Sequence, residues 1–253
     1  LNTKGNKNVA VGESALYTFN STTATDTYNT AVGHHAGVSV TTGIYNTLLG
    51  GLAGDALTDA DHNVAVGFNA LSADTLGSGS VAIGQGTLNV QNFTTATSTL
   101  NTAVGYQAGT SVTTGVHNTL IGGQTGDALT QGARNTAVGV AALTADTLGQ
   151  YSTAIGYGAL SVQNQTTAVN TYNVAVGYLA GEDVTTGVQN TFIGGLAGDS
   201  ATTANNSIIV GYNSALAAVD TAQVIVMGTS VTSQAANNFT FGFGSTDSNI
   251  AFG

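Results

Sequence analysis

Cysteine, proline and tryptophan are absent from this 253-residue chain, and charged residues make up only 6% of it. A typical soluble domain is about 25% charged. Each scarcity narrows the possibilities. Three basic residues, Lys4, Lys7 and Arg134, cannot form a patch that neutralises phosphates, so nucleic-acid binding and attraction to anionic membrane surfaces are excluded. No apolar run approaches the roughly 20 residues of a membrane span, and no signal peptide is visible. Lack of cysteine suits an extracellular or virion protein without disulfides and excludes no compartment. Opening on Leu1 instead of Met suits a fragment or a processed product.

Apolar residues make up 42% of the chain and glycine contributes 35 positions. Disorder goes with low hydrophobicity and high net charge, so the chain is expected to fold. Its solubility rests on Thr, Ser, Asn and Gln, helped by a net charge of −10.

The pentapeptide N-T-A-V-G at Asn29–Gly33 returns at Asn101–Gly105 and Asn135–Gly139. Variants such as Asn46–Gly50, Asn63–Gly67, Ser80–Gly84 and Asn173–Gly177 fill the intervals. Successive terminal glycines are spaced by 17 or 21 residues. One short strand per such interval is the signature of a solenoid, so the expected fold is an all-β parallel β-solenoid. Asn29, Asn101 and Asn173 lie 72 residues apart, so three 17-residue coils and one 21-residue coil form a cassette. Three regions follow: an opening coil at 1–28, regular coils at 29–206, and an irregular cap or junction at 207–253.

Within the rung, Val32, Val104 and Val176 precede the glycines Gly33, Gly105 and Gly177, and the slot two residues earlier holds Thr or Val. Alternation along a strand places these two slots on one face and the intervening Ala on the other. The expectation is that the Val/Ile ladder fills the lumen of the coil, leaving the Ala/Leu face for neighbouring chains in a homotrimer. On that facing, Val104→Asp disrupts folding. The leading Asn stacks into a ladder bonded from coil to coil, and the glycine permits the corner.

N-T-A-V-G-Y-Q-A-G (Asn101–Gly109), S-V-A-I-G (Ser80–Gly84) and N-V-A-V-G-Y-L-A-G (Asn173–Gly181) resemble the head repeats of YadA-like trimeric autotransporter adhesins and the repeats of phage tail-fibre proteins. The resemblance covers about residues 8–211. It implies a left-handed parallel β-roll, three chains side by side, and a fibre used for attachment to a cell-surface glycan or protein receptor. Tail fibre, hence virion, is favoured over bacterial cell surface. The 17- and 21-residue coils are longer than those of adhesin heads.

No enzyme motif, cofactor or metal site emerges, so a non-enzymatic role is expected. The histidines His34, His35, His62 and His117 do not recur with the cassette, and adjacent strand residues such as His34 and His35 face opposite ways. Asp55, Asp127 and Asp199 do recur, as do Asp74 and Asp146. One carboxylate per site is thin for Ca²⁺, and turn capping is the simpler role. Tyr106, Tyr157, Tyr178 and Tyr212 follow rung glycines and either face carbohydrate or cover the corner of the next coil. N-x-S/T at Asn20, Asn92 and Asn164 reads as a by-product of Thr-rich loops.

The 21-residue coils need extra loop. Thr22, Thr23 and Thr25, Thr94, Thr95 and Thr97, and Thr166 and Thr167 are the candidate receptor-contact residues, bulging outward from the stack. Two alternatives belong to other classes. One is a monomeric ice- or polysaccharide-binding solenoid, favoured by flat T-x-T arrays. The other is a trimeric polysaccharide depolymerase with carboxylates paired between chains.

Overall fold

The computed structural model describes residues 5–21, 26–244 and 247–251. Among these residues there is no helix. Glycines and β-branched residues interrupt every window long enough to nucleate one. The chain divides into two compact units, Leu1–Gln131 and Gly132–Gly253. Each is a parallel β-solenoid.

Among its described residues the first unit contains seven three-residue rungs: β1 (Val9–Val11), β2 (Thr30–Val32), β3 (Thr47–Leu49), β4 (Val64–Val66), β6 (Val81–Ile83), β8 (Thr102–Val104) and β9 (Thr119–Ile121). Each pairs in parallel with the next, and the register keeps equivalent positions together, as in Thr30↔Thr47, Ala31↔Leu48 and Val32↔Leu49. A second, two-stranded sheet pairs β5 (Gly77–Ser78) with β7 (Thr97–Ser98) at the base of the 21-residue coil.

In the second unit the rungs are β10 (Thr136–Val138), β12 (Thr153–Ile155), β14 (Val174–Val176), β15 (Thr191–Ile193) and β16 (Ile208–Val210). β11 (Gly149–Gln150) and β13 (Val169–Asn170) form its small side sheet. Beyond residue 206 the strands lengthen into β17 (Ile225–Thr229) and β18 (Asn238–Phe243), which keep the parallel register. β19 (Ser248–Ala251) then pairs antiparallel with β18.

The facing of the rung is the reverse of the expectation. The central residues Ala31, Leu48, Ala65, Ala82, Ala103 and Leu120 are fully buried, as are Ala137, Ala154, Ala175 and Phe192. The Val/Ile slot turns outward: Val32 is 37% exposed, Ile121 40% and Ile193 42%. Val104 and Val176 are half-buried. The reason lies in the leading asparagine. Asn29 Nδ2 donates to the Gly43 carbonyl at 2.7 Å, while its Oδ1 accepts the N–H of Asn46 at 2.9 Å. Asn101 and Asn173 make the equivalent bonds. These side chains must point into the coil to reach a carbonyl 14 residues on, and strand alternation then carries the residue two places later, Ala, inside with them. The ladder does bond coil to coil, through backbone groups of the neighbouring coil.

Core volume is balanced between neighbouring positions. Several coils combine a rung Ala with a buried Leu at the fourth residue past the rung glycine, as in Ala65 with Leu71 and Ala82 with Leu88. Where the rung centre is Leu48, the fourth position is glycine both in its own coil (Gly54) and in the one before (Gly37). A Cβ on Gly54 would sit 2.8 Å from Leu48 Cδ2. Leu120 with Gly109 and Gly126, and Phe192 with Gly181 and Gly198, repeat the arrangement. The alternation of Leu and Gly along the chain thus keeps the lumen filled at constant density.

Positive φ is frequent at non-glycine residues, including Leu71 (φ 55) and Leu88 (φ 48). A left-handed conformation costs an L-residue about 1–2 kcal/mol. Burying the leucine side chain returns about 1.5–3 kcal/mol, so burial wins at these turns. At Gly33, where φ is +139, a side chain would also collide with the backbone of Gly50 in the next coil. That close approach keeps glycine at the rung end.

Candidate functional site

The outward face of each sheet carries two parallel ladders without a charged residue. One is Thr30, Thr47, Val64, Val81, Thr102 and Thr119 in the first unit, all half-buried. The other is the Val/Ile ladder, which includes Val32, Ile83 and Ile121 there and Ile155, Ile193 and Met227 in the second unit. Strand spacing sets these side chains about 4.8 Å apart along the stack. Without a charge, such a face costs little to desolvate.

The long coils present the loops. Thr94, Thr95 and Ala96 are exposed in the first unit, and Thr166, Thr167 and Ala168 in the second; Thr97 is half-buried in β7. Thr22, Thr23 and Thr25 lie outside the described residues. Asn92 and Asn164 are exposed at the loop entrances, and each Oδ1 accepts a threonine hydroxyl, from Thr75 at 3.3 Å and Thr147 at 3.1 Å.

Beneath each of these loops lies a buried polar network that sequence reading reduced to turn capping. Asp74 is completely buried. Its Oδ1 accepts the N–H of Gly77 at 3.1 Å and of Phe93 at 3.0 Å, and its Oδ2 accepts Gln91 Nε2 at 2.5 Å. Gln91 Nε2 also donates to Ser80 Oγ at 3.0 Å, and Gln91 Oε1 accepts Asn101 Nδ2 at 2.8 Å. Ser80 and Thr99 share a hydroxyl bond of 2.6 Å. The second unit builds the same constellation from Asp146, Gln163, Ser152, Thr171 and Asn173. Burial pushes the Asp74 carboxyl up, against the pull of its hydrogen bonds. Gly77 is required for space: a side chain there would overlap the Asp74 carboxylate. Serine in place of the rung asparagine at positions 80 and 152 was the sequence signal, since it leaves room for the glutamine.

Burial raises the carboxyls of Asp55 and Asp199, and Asp55 Oδ1 is buried without a hydrogen-bond partner, so the turn-capping role does not account for it. His34 and His35 lie in a turn instead of a strand, with ring centroids 3.9 Å apart. They therefore share a side, contrary to the strand-based expectation. His34 Nε2 is 3.8 Å from the Glu13 carboxylate. Among the described residues no three His, Cys, Asp or Glu side chains gather in a metal-binding arrangement.

Aromatic residues recur at two positions of the coil. Tyr106, Tyr157, Tyr178 and Tyr212 are exposed after their glycines. Tyr157 and Tyr178 stack at 5.6 Å, and the Tyr212 ring covers Gly195. The other position is the residue before the leading Asn or Ser of a rung. Tyr28, Tyr45 and His62 stack at 5.6 and 5.0 Å, with the Lys7 ammonium 5.0 Å from the Tyr28 ring. In the second unit Arg134 lies over Tyr151, which stacks on Tyr172. The in-register spacing of coils matches ring stacking, and the cations add cation–π attraction.

Comparison with family models, with curated proteins and with solved structures finds no match to this chain.

Proposed function

We propose that this protein is a structural fibre component: the homotrimeric shaft or head of a phage tail fibre or surface adhesin, acting outside the cell in attachment to a glycan or protein receptor. The observation that carries this reading is the outward Val/Ile ladder, apolar in every rung and about 40% exposed at Ile121 and Ile193. Extended apolar surface of this kind marks an interaction site. A copy of the same chain, parallel and in register, offers a matching apolar residue to every rung, and no charge has to be buried in the contact. The exposed threonine loops then project from each chain, and threefold repetition lets weak contacts sum through multivalency.

Native mass measurement tests the assembly. A trimer is expected, and a stable folded monomer at micromolar concentration overturns the reading. Deleting four residues from each threonine loop tests the attachment surface. Loss of cell binding with the trimer intact is expected, while unchanged binding removes the loops from that role.

One observation favours a second reading. Because Ala points inward, Thr30 and Val32, and their equivalents in the other rungs, face outward together on a flat sheet. A monomer could lay such a regular hydroxyl-and-methyl array against ice or a polysaccharide. A monomeric mass accompanied by thermal hysteresis or polysaccharide retention would select it.

A further inference from the structure

The sequence holds five N-x-S/T triplets, beginning at Asn20, Asn92, Asn164, Asn205 and Asn238. Such a triplet is an acceptor signal for sugar on asparagine when it lies at the surface. The fold separates the five. Asn238 and Thr240 are buried within β18. Asn205 spends its Oδ1 on the Val188 N–H at 2.7 Å, and Ser207 is fully buried. Asn92–Thr94 and Asn164–Thr166 instead run exposed, buried, exposed, with Phe93 and Gln165 as the buried middle residues. Each of these two triplets presents its asparagine and its threonine to solvent together. Asn20 is also exposed, and Thr22 lies outside the described residues.

Asn92 and Asn164 each interrupt a column of threonines. In the coils before Asn92 the equivalent residues are Thr41, Thr58 and Thr75. The hydroxyls of Thr41 and Thr58 donate to the carbonyl of the next threonine, at 3.2 and 3.0 Å. In the coils after Asn164, Thr185 and Thr202 donate in the same way, at 3.1 and 3.2 Å. The asparagine keeps its place in the column through Oδ1, which accepts the hydroxyl of Thr75 or Thr147. Its Nδ2 has no hydrogen-bond partner among the described residues. The rung asparagines differ on both counts: Asn29 is fully buried and its Nδ2 is committed to the Gly43 carbonyl. An exposed amide nitrogen that the stack does not use is free to react without breaking a bond of the fold.

We propose that Asn92 and Asn164 are modification sites that accept N-linked sugar from a donor activated at C1 by a diphosphate. The asparagine Nδ2 forms a bond to C1 of the sugar, and the bond from C1 to the diphosphate oxygen breaks. The diphosphate leaves with that electron pair, and the amide nitrogen gives up one proton to the general base of the transferase. The exposed hydroxyl of Thr94 or Thr166 completes the signal that the transferase reads. The sugar then stands at the entrance of the exposed segment Thr94–Ala96 or Thr166–Ala168. This inference holds whether or not those loops touch a receptor.

Peptide mass spectrometry of the full chain, purified from the organism that makes it, tests the assignment. Sugar mass is expected on Asn92 and Asn164 and on neither Asn205 nor Asn238. A single sugar residue would identify a nucleotide-linked donor, and an oligosaccharide block a polyprenol-linked one. In the same host, Asn92→Gln should abolish the added mass at that site and leave Asn164 modified. Thr94→Ala should act alike, Thr94→Ser should retain the sugar, and Thr95→Ala should leave both sites occupied. Native protein with bare Asn92 and Asn164 overturns the proposal. Sugar carried on the threonines of the loops in place of the asparagines overturns it too, as does modification at Asn92 that survives Thr94→Ala. If Asn92→Gln does not fold, Thr94→Ala and the native masses decide.

Discussion

Ala103 lies wholly inside its coil, and the side chain of Val104, one residue on, turns out of it. The difference between these neighbours is what separates folding from assembly. Ala103→Asp would bury a carboxylate with no partner, at roughly 3–5 kcal/mol, and the variant is expected to lose its cooperative thermal transition. Val104→Asp leaves the coil intact, so its circular dichroism should match the parent, and under the proposed trimeric assembly its native mass should fall to that of a monomer. A Val104→Asp protein that fails to fold would show that the outward assignment is wrong.

Leu48 and Gly54 form a volume-compensated pair. Leu48→Ala alone should cost about 2–5 kcal/mol through the cavity it leaves. Adding Gly54→Leu reproduces the pairing of Ala65 with Leu71 and should recover part of that loss, giving a favourable coupling energy in a double-mutant cycle. Gly54→Leu on its own, facing an intact Leu48, should be the least stable of the three. Chemical denaturation of the set measures the coupling, and strict additivity would remove the compensation argument.

Asn46 supports two coils at once, through Nδ2 to the Ala60 carbonyl at 2.8 Å and Oδ1 from the Asn63 N–H at 3.0 Å. Asn46→Ala strands both backbone groups out of reach of water. At about 1–3 kcal/mol for each, the expected loss is roughly 2–6 kcal/mol. Hydrogen exchange should localise it to the amides of Asn63 and its neighbours, and a uniform change across the unit would contradict the local role.

Burial raises the carboxyls of Asp55, Asp74 and Asp199 in the folded chain. A raised folded pKa means stability that is complete below the unfolded pKa and is lost as pH climbs through the folded one. These three groups therefore favour the fold more at mildly acidic pH than at alkaline pH, and relief of the −10 net charge acts in the same direction. The melting temperature should rise as pH is lowered from neutral towards the ordinary aspartate range, about 4. Asp74→Asn should flatten part of that slope.

How much of this could be read from the residues differs from feature to feature. The rung N-T-A-V-G and its spacing specified parallel, in-register coils, because a short β-branched strand ending in glycine at a fixed interval has no other regular way to pair. The buried carboxylate networks were partly visible. Asp74 and Asp146 recur with the cassette, as do Gln91 and Gln163, but separations of 17 residues acquire meaning only once coils are stacked. The Tyr28–Tyr45–His62 stack was missed for the same reason.

The side of the strand that faces inward was decided by tertiary structure. Alternation establishes that Thr30 and Val32 share one face and Asn29 and Ala31 the other; it does not say which face the coil closes around. Hydrophobicity alone favours placing valine inside. The closing contacts select asparagine instead, because Asn29 must span the lumen to Gly43 and pin Asn46. An unpaired backbone group inside a narrow coil costs about as much as one buried valine gains, and this need recurs in every coil. Alanine follows asparagine inward, leucines in left-handed turns fill the remaining space, and the valine ladder is left on the surface.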